Sequence, residues 1–155
     1  MKPIRRATRS DLEALLELWL ELLEHHATLD PHYQIRERGL GGLRKALEAQ
    51  LDEAESALFV WEEDGALLGF CGARIDRAPP ILKERRRAEI ADLLVEPSAR
   101  RRGLGRALAA AATGWARQQG VERIEVRVVA GNVEGQAFWR ALGYADFVNV
   151  LHRRL

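Results

Sequence analysis

The chain has 155 residues, 47% hydrophobic and 30% charged, which is the balance of one compact globular domain spanning residues 1–155. No long uncharged apolar run occurs, which excludes a membrane-spanning helix, and the single Cys71 excludes a disulfide framework or a multi-cysteine metal site. Basic and acidic groups nearly cancel, 24 against 23 for a net charge of +1, which argues against a general nucleic-acid binder. The distribution is uneven: residues 11–63 carry a net −9 and residues 64–155 a net +6. Lys2, Arg5, Arg6 and Arg9 interrupt any apolar signal segment, so the expected compartment is the cytoplasm, with no membrane partner.

Residues 2–8 read as a short extended start. Ser10 and Glu13 have capping-box spacing, and Leu12, Leu15, Leu16, Trp19, Leu22 and Leu23 recur at helical spacing until Asp30-Pro31. Gly39, Gly41 and Gly42 then read as loop before a second helix over 43–54. The period changes at 57–61, a short apolar run joined through Asp64-Gly65 to a second run over 66–75, which is a hairpin signal. A loop over 77–87 leads to a strand over 88–95 that stops at Pro97. A helix over 103–119, a strand over 123–129, a short helix over 134–142 capped by Gly143 and a last strand over 147–153 complete the pattern. Neither an internal repeat nor a flexible linker occurs. The fold class is α/β, a mixed sheet between helical layers.

The stretch from Glu96 to Arg106 lies between a predicted strand and the start of a predicted helix. Helix N-termini present unpaired N–H groups and partial positive charge, so they attract phosphate. Gly103 and Gly105 allow close backbone approach, and Arg100, Arg101, Arg102 and Arg106 add charged donors. A P-loop is excluded because Arg106-Ala107 follows Gly105, and a dinucleotide fingerprint is excluded because position 108 is Leu108. The plainer alternative is a solvated basic turn.

Arg100-x-x-Gly103-x-Gly105 resembles the signature of the GCN5-related N-acetyltransferases. The order of elements, Asn132, and the Ala-Phe-Trp helix ending in Leu142-Gly143-Tyr144 extend that resemblance over essentially the whole chain. It implies an acyl-CoA N-acyltransferase fold, a central twisted mixed sheet with flanking helices, acting on acetyl-CoA and a primary amine. By the same resemblance, amides from Arg101 through Leu104 to Arg106 would hold the pyrophosphate. Main chain at Leu94 and Val95 would pair with the pantetheine arm, with Asn132 beside it. That needs the strands over 88–95 and 123–129 to splay apart. For an isolated Asn, a turn role is the alternative. A homodimer is an expectation of the same kind.

Acetyl transfer needs a deprotonated amine, so a carboxylate is the expected base. Glu89 and Asp92 are the candidates. They are three apart, which puts them on opposite faces unless the strand is bulged. Residues Ala88-Glu89-Ile90 align with the segment that carries the base in the histone-acetyltransferase branch, which favours Glu89; the alternative is a surface carboxylate paired with Arg85–Arg87. Trp139 stands where many members carry a Tyr that protonates the leaving thiolate. An indole N–H donates a hydrogen bond but transfers no proton, so Trp139 reads as a core or cofactor-packing residue and no catalytic acid is assigned. In the family the first two helices and their connection shape the acceptor pocket. Here that region offers Glu24, His25, Asp30 and Tyr33, and Asp92 is a further substrate candidate. Its negative charge would favour a cationic acceptor, although the glutamates also suit a solvated helix face. Adjacent histidines point to different sides of a helix, so no metal is expected. A non-catalytic acyl-CoA-binding or sensing module is the alternative function, and nucleic-acid binding ranks last.

Overall fold

In a computed structural model, which describes residues 3–36 and 39–155, the chain folds into one sheet covered on both faces by helices. Lys2, assigned to the first strand from sequence, and the loop residues Glu37 and Arg38 lie outside the described residues. The five strands are β1 (Ile4–Arg6), β2 (Ser56–Glu63), β3 (Ala66–Arg77), β4 (Arg86–Val95) and β5 (Ile124–Val126), in spatial order β1-β2-β3-β4-β5. Pairing is antiparallel from β1 to β4 and parallel between β4 and β5. The Asp64-Gly65 turn has both residues at positive φ, 52° and 78°, as the tight β2–β3 connection requires.

Helices α1 (Leu12–Leu29) and α2 (Gly39–Asp52) cover one face, and α3 (Leu104–Gln118) and α4 (Val133–Ala141) cover the other. Alternation along the strands sorts the core accordingly. Leu58, Val60, Phe70 and Leu94 pack with Leu15, Leu18, Leu22 and Leu47 on the first face. Cys71, Ala73, Ile75, Ala88 and Ile90 pack with Leu108, Ala112, Trp115 and Trp139 on the second. Among the described residues no helix is long and apolar enough to cross a membrane.

Several local expectations are corrected. The capping box is formed two residues earlier, by Thr8 and Asp11 rather than Ser10 and Glu13: the Thr8 N–H donates to Asp11 Oδ2 at 2.7 Å. Asp11 also takes two hydrogen bonds from Arg5, each 2.8 Å, which together with the Thr8 N–H hold its carboxyl down to about 2 against the cost of burial. Helix α2 starts at Gly39, not residue 43, so the glycines belong to its first turn, and Leu47 is its buried anchor. Strand β5 has three residues instead of seven, since its partner β4 pairs with it only from Ala88 to Ile90. The strand expected over 147–153 does not form. Phe147, Val148, Val150 and Leu151 are exposed, with Phe147 lying under the Arg123 guanidinium at 4.4 Å.

Candidate active site

The pairing of β4 with β5 ends at Ile90 and Val126, so the flank of β4 from Ala91 to Val95 that faces away from β3 has no strand partner among the described residues. The splayed edge leads directly into the basic loop. A 3-10 turn at Pro97–Ala99 is followed by Arg101 at φ 65° and Gly103 at φ 87°, and α3 begins at Leu104. The two left-handed residues turn the chain so that the first-turn amides of α3 point outward. No side chain caps them. Leu104 is buried and anchors the helix start in the core. A Cβ on Gly105 would sit 3.4 Å from the Phe138 ring, so this position brings α4 close against the start of α3.

The four arginines differ in their engagements. Arg102 donates to both oxygens of Glu63 at 2.8 Å, which ties the loop to the β2–β3 turn and lowers the Glu63 carboxyl. Arg100 Nε donates to the Val95 carbonyl at 3.0 Å. Arg101 and Arg106 are exposed and form no ion pair or hydrogen bond among the described residues. An anion at the start of α3 would meet open amides and two unpaired guanidiniums, which is the donor set a pyrophosphate requires.

On the far side of β4 the register slips between Gly72 and Ala73: Asp92 pairs with Gly72 and Ile90 with Ala73, which leaves Ala91 as an extra residue. The bulge brings Glu89 and Asp92 to the same face, the one covered by α1 and α2. Glu89 is only 5% exposed and lies beside Arg74 at 3.2 Å and Arg127 at 3.8 Å. Asp92 accepts from the Trp19 indole N–H at 3.0 Å, and burial pushes its carboxyl up to about 6 despite that hydrogen bond and the Arg74 charge. Across the pair, Gly72 has no side chain to fill the space over Leu58 and Gln50.

The remaining candidates are spread out. Asn132 caps α4, its Oδ1 accepting from the Gly135 N–H at 2.9 Å. Trp139 is buried between Phe138 and Tyr144, with ring centroids 4.9 and 5.1 Å away. Tyr144 is also turned inward, and burial raises its hydroxyl. Glu24 and His25 are exposed on α1. Asp30 accepts from the His32 N–H at 2.8 Å in the 3-10 turn Pro31–Tyr33, where Tyr33 stacks against His26 at 5.3 Å. Trp19, Gly72 and Arg74 escaped the sequence reading. Trp19 has the spacing of a core residue, and the signal that could have found Gly72 is a glycine inside an apolar strand.

A mixed sheet that parts beside an uncapped, glycine-opened helix, with carboxylates on the opposite face, is the arrangement of an acyltransferase. The model of the acetyltransferase (GNAT) family matches residues 12–144, and the chain belongs to that family. Among curated relatives, the peptidyl-lysine N-acetyltransferase YiaC of Escherichia coli is 37% identical over 106 residues, covering 68% of this chain and 60% of that protein. The chain spans about 60% of the length of the first curated relatives it matches. Among solved structures, a mutant of the BH1408 protein from Bacillus halodurans superimposes with a TM-score of 0.87 at 22% identity, covering 98% of both chains. The aminoglycoside N-acetyltransferase AAC(6')-Iy, solved in complex with CoA, does so with 0.77 at 22% identity, again over 98% of both. At these identities the likeness is one of fold.

Proposed function

We propose that the protein is an N-acetyltransferase that moves the acetyl group of acetyl-CoA to a primary amine of a small molecule or peptide, by direct transfer while both are bound. The observation that carries this reading is the pairing of an open, uncapped α3 start with a bulged β4 that turns two carboxylates to the other face. The first-turn amides of α3, with Arg101 and Arg106, bind the pyrophosphate. The unpaired flank of β4 at Leu94 and Val95 offers main-chain groups to the pantetheine arm as an added strand would. For Val95 this requires Arg100 to release the carbonyl it now holds. Acetyl-CoA supplies, when bound, an acyl group already activated as a thioester.

This chain's residues hold the amine and take its proton. Either β4 carboxylate, Glu89 or Asp92, is placed to do so from the α1/α2 face, and their charge favours an acceptor that arrives as a cation. Names among the relatives and neighbours, peptidyl-lysine, aminoglycoside and mycothiol acetyltransferases, support an amine acceptor without choosing one. The expected compartment is the cytoplasm. The exposed run at Phe147, Val148, Val150 and Leu151 supports the homodimer expectation, which sedimentation of the protein and of a Val150→Asp variant tests.

The activity is tested by thiol release from acetyl-CoA over a panel of lysine peptides, aminoglycosides and polyamines. Amine-dependent release is the expected result. Tight acetyl-CoA binding without release on any amine would instead make the protein a sensing module, the reading that Trp139 in place of a phenol favours.

A further inference from the structure

The two β4 carboxylates differ in what their oxygens face. Both Glu89 oxygens face guanidinium groups, Oε2 at 3.2 Å from Arg74 Nη2 and Oε1 at 3.8 Å from Arg127 Nε. Neither Glu89 oxygen is therefore open toward an incoming ammonium, which the two guanidiniums would also repel. Asp92 has one oxygen held and one open. Its Oδ1 accepts from the Trp19 indole at 3.0 Å. Its Oδ2 has no hydrogen-bond partner among the described residues and lies 3.5 Å from where a Cβ on Gly72 would stand. The missing side chain leaves a notch about the size of one methyl group there, bounded by Leu58 and Gln50.

We propose that Asp92 is the group that takes the proton of the acceptor ammonium, that the Trp19 indole is its positioning residue, and that Glu89 acts only through its charge. The proposal rests on the acetyltransferase reading above. The step moves one proton. An N–H bond of the ammonium breaks, an Oδ2–H bond forms, and the electron pair left on nitrogen becomes the nucleophile. The carboxyl later returns that proton to water. Trp19 is suited to its part because a ring nitrogen on a packed helix fixes the carboxylate's rotation without neutralising its charge.

The groups around Asp92 give the proposal a signature. The Trp19 indole faces it from α1 and the uncharged Gln50 from α2. Arg74 faces it from β3, where the neighbouring Cys71 thiol points to the other side of the sheet, and Glu89 lies on β4 itself, with Arg127 beyond Glu89. Burial raises the carboxyl and the Glu89 charge adds to this, while the indole N–H and Arg74 lower it. Removing the indole N–H must therefore move the titration of Asp92 to higher pH, and removing the Glu89 charge must move it to lower pH.

The test has two arms. In the free protein, the indole N–H resonance assigned by its loss in Trp19→Phe is followed against pH by nitrogen-edited NMR. It should titrate near pH 6, move downward in Glu89→Gln and lose its titration in Asp92→Asn. A Trp19 resonance that does not titrate, or that titrates unchanged in Asp92→Asn, overturns the pair. In the second arm, kcat/KM for an Nα-blocked lysine peptide, or for an aminoglycoside or polyamine if the peptide is not a substrate, is measured against pH. Asp92→Asn should lose roughly 100- to 10,000-fold near neutral pH. Trp19→Phe should lose roughly three- to tenfold at pH 6 and little at pH 9, its acid limb displaced upward, whereas Glu89→Gln should displace that limb downward. Loss of the acid limb in Glu89→Gln with its retention in Asp92→Asn would make Glu89 the base and overturn the proposal. If no amine is acetylated at any pH, the acetyltransferase reading fails and the proton-acceptor role fails with it. An indole resonance that still titrates would then leave Trp19 and Asp92 a structural pair alone.

Discussion

Glu89 and Asp92 share one face of β4 although they stand three positions apart, because the register slip opposite Gly72 and Ala73 makes Ala91 an extra residue. A regular strand would send Asp92 into the α3 side of the core, away from Trp19 and from any acceptor. The bulge thus sets which side of the sheet carries acid–base chemistry, and it lies where β4 parts from β5. One irregularity serves both needs of the proposed reaction.

The notch over Gly72 can be filled without touching the phosphate loop. A Cβ there would stand 3.2 Å from Leu58 Cδ2, 3.5 Å from Asp92 Oδ2 and 3.6 Å from Gln50. Gly72→Ala should fold, at a cost of about 1 kcal/mol or less, and raise the acceptor KM severalfold. Its affinity for acetyl-CoA, read by calorimetry, should stay unchanged.

Gly103 is required by its backbone. At φ 87° an alanine costs about 1–2 kcal/mol, and it would also move the amides that open α3. Gly103→Ala should therefore lower Tm and weaken acetyl-CoA binding together. Gly105→Ala, whose Cβ would only touch the Phe138 ring, should change both far less.

Asp11 links β1 to the start of α1. Its carboxyl lies below the usual carboxylate range, so its contribution is fully present above about pH 4 and is lost as pH falls through about 2. Asp11→Asn should cost about 1–2 kcal/mol at pH 7, measured by urea unfolding, and the difference from the wild type should shrink in acid.

Asp92 has the opposite sign. Its carboxyl is raised to about 6 in the folded protein, so it stays protonated in the folded state between about pH 4 and 6 while the unfolded chain ionises. Stability falls over that window and stays lower above it. Asp92→Asn should raise Tm at pH 8 and leave it close to the wild type at pH 4. This is the pattern of a site that gives up stability for function.

What could be read from the sequence follows from how local each determinant is. The Asp64-Gly65 turn and the Gly103 loop announce themselves because a positive φ demands those residue types. The apolar runs of β3 and β4 are bounded by clear breakers. The bulge at Ala91 has no residue signature, since alanine there is compatible with a regular strand, and only the pairing with β3 reveals it. Trp19 reads as core because helical spacing encodes which face it lies on, not where its N–H points. Gly39 reads as loop because glycine is a weak helix former, and the contact that holds the helix, Leu47 in the core of the first face, lies two turns away. The tail after Tyr144 has the composition of a strand, but β5 offers only three residues in ladder geometry and does not pair with it.

Direct transfer is the central claim, and the one side chain that could carry an acetyl thioester argues for it. Cys71 is fully buried, and burial pushes its thiol far above the neutral range, so it offers no thiolate. The most direct test is initial-velocity kinetics with acetyl-CoA and an accepted amine varied together, on protein whose intact mass is recorded after acetyl-CoA alone. Double-reciprocal lines that intersect, with no acetyl adduct on the chain, are the expected result. Parallel lines accompanied by a stable acetyl adduct would contradict it.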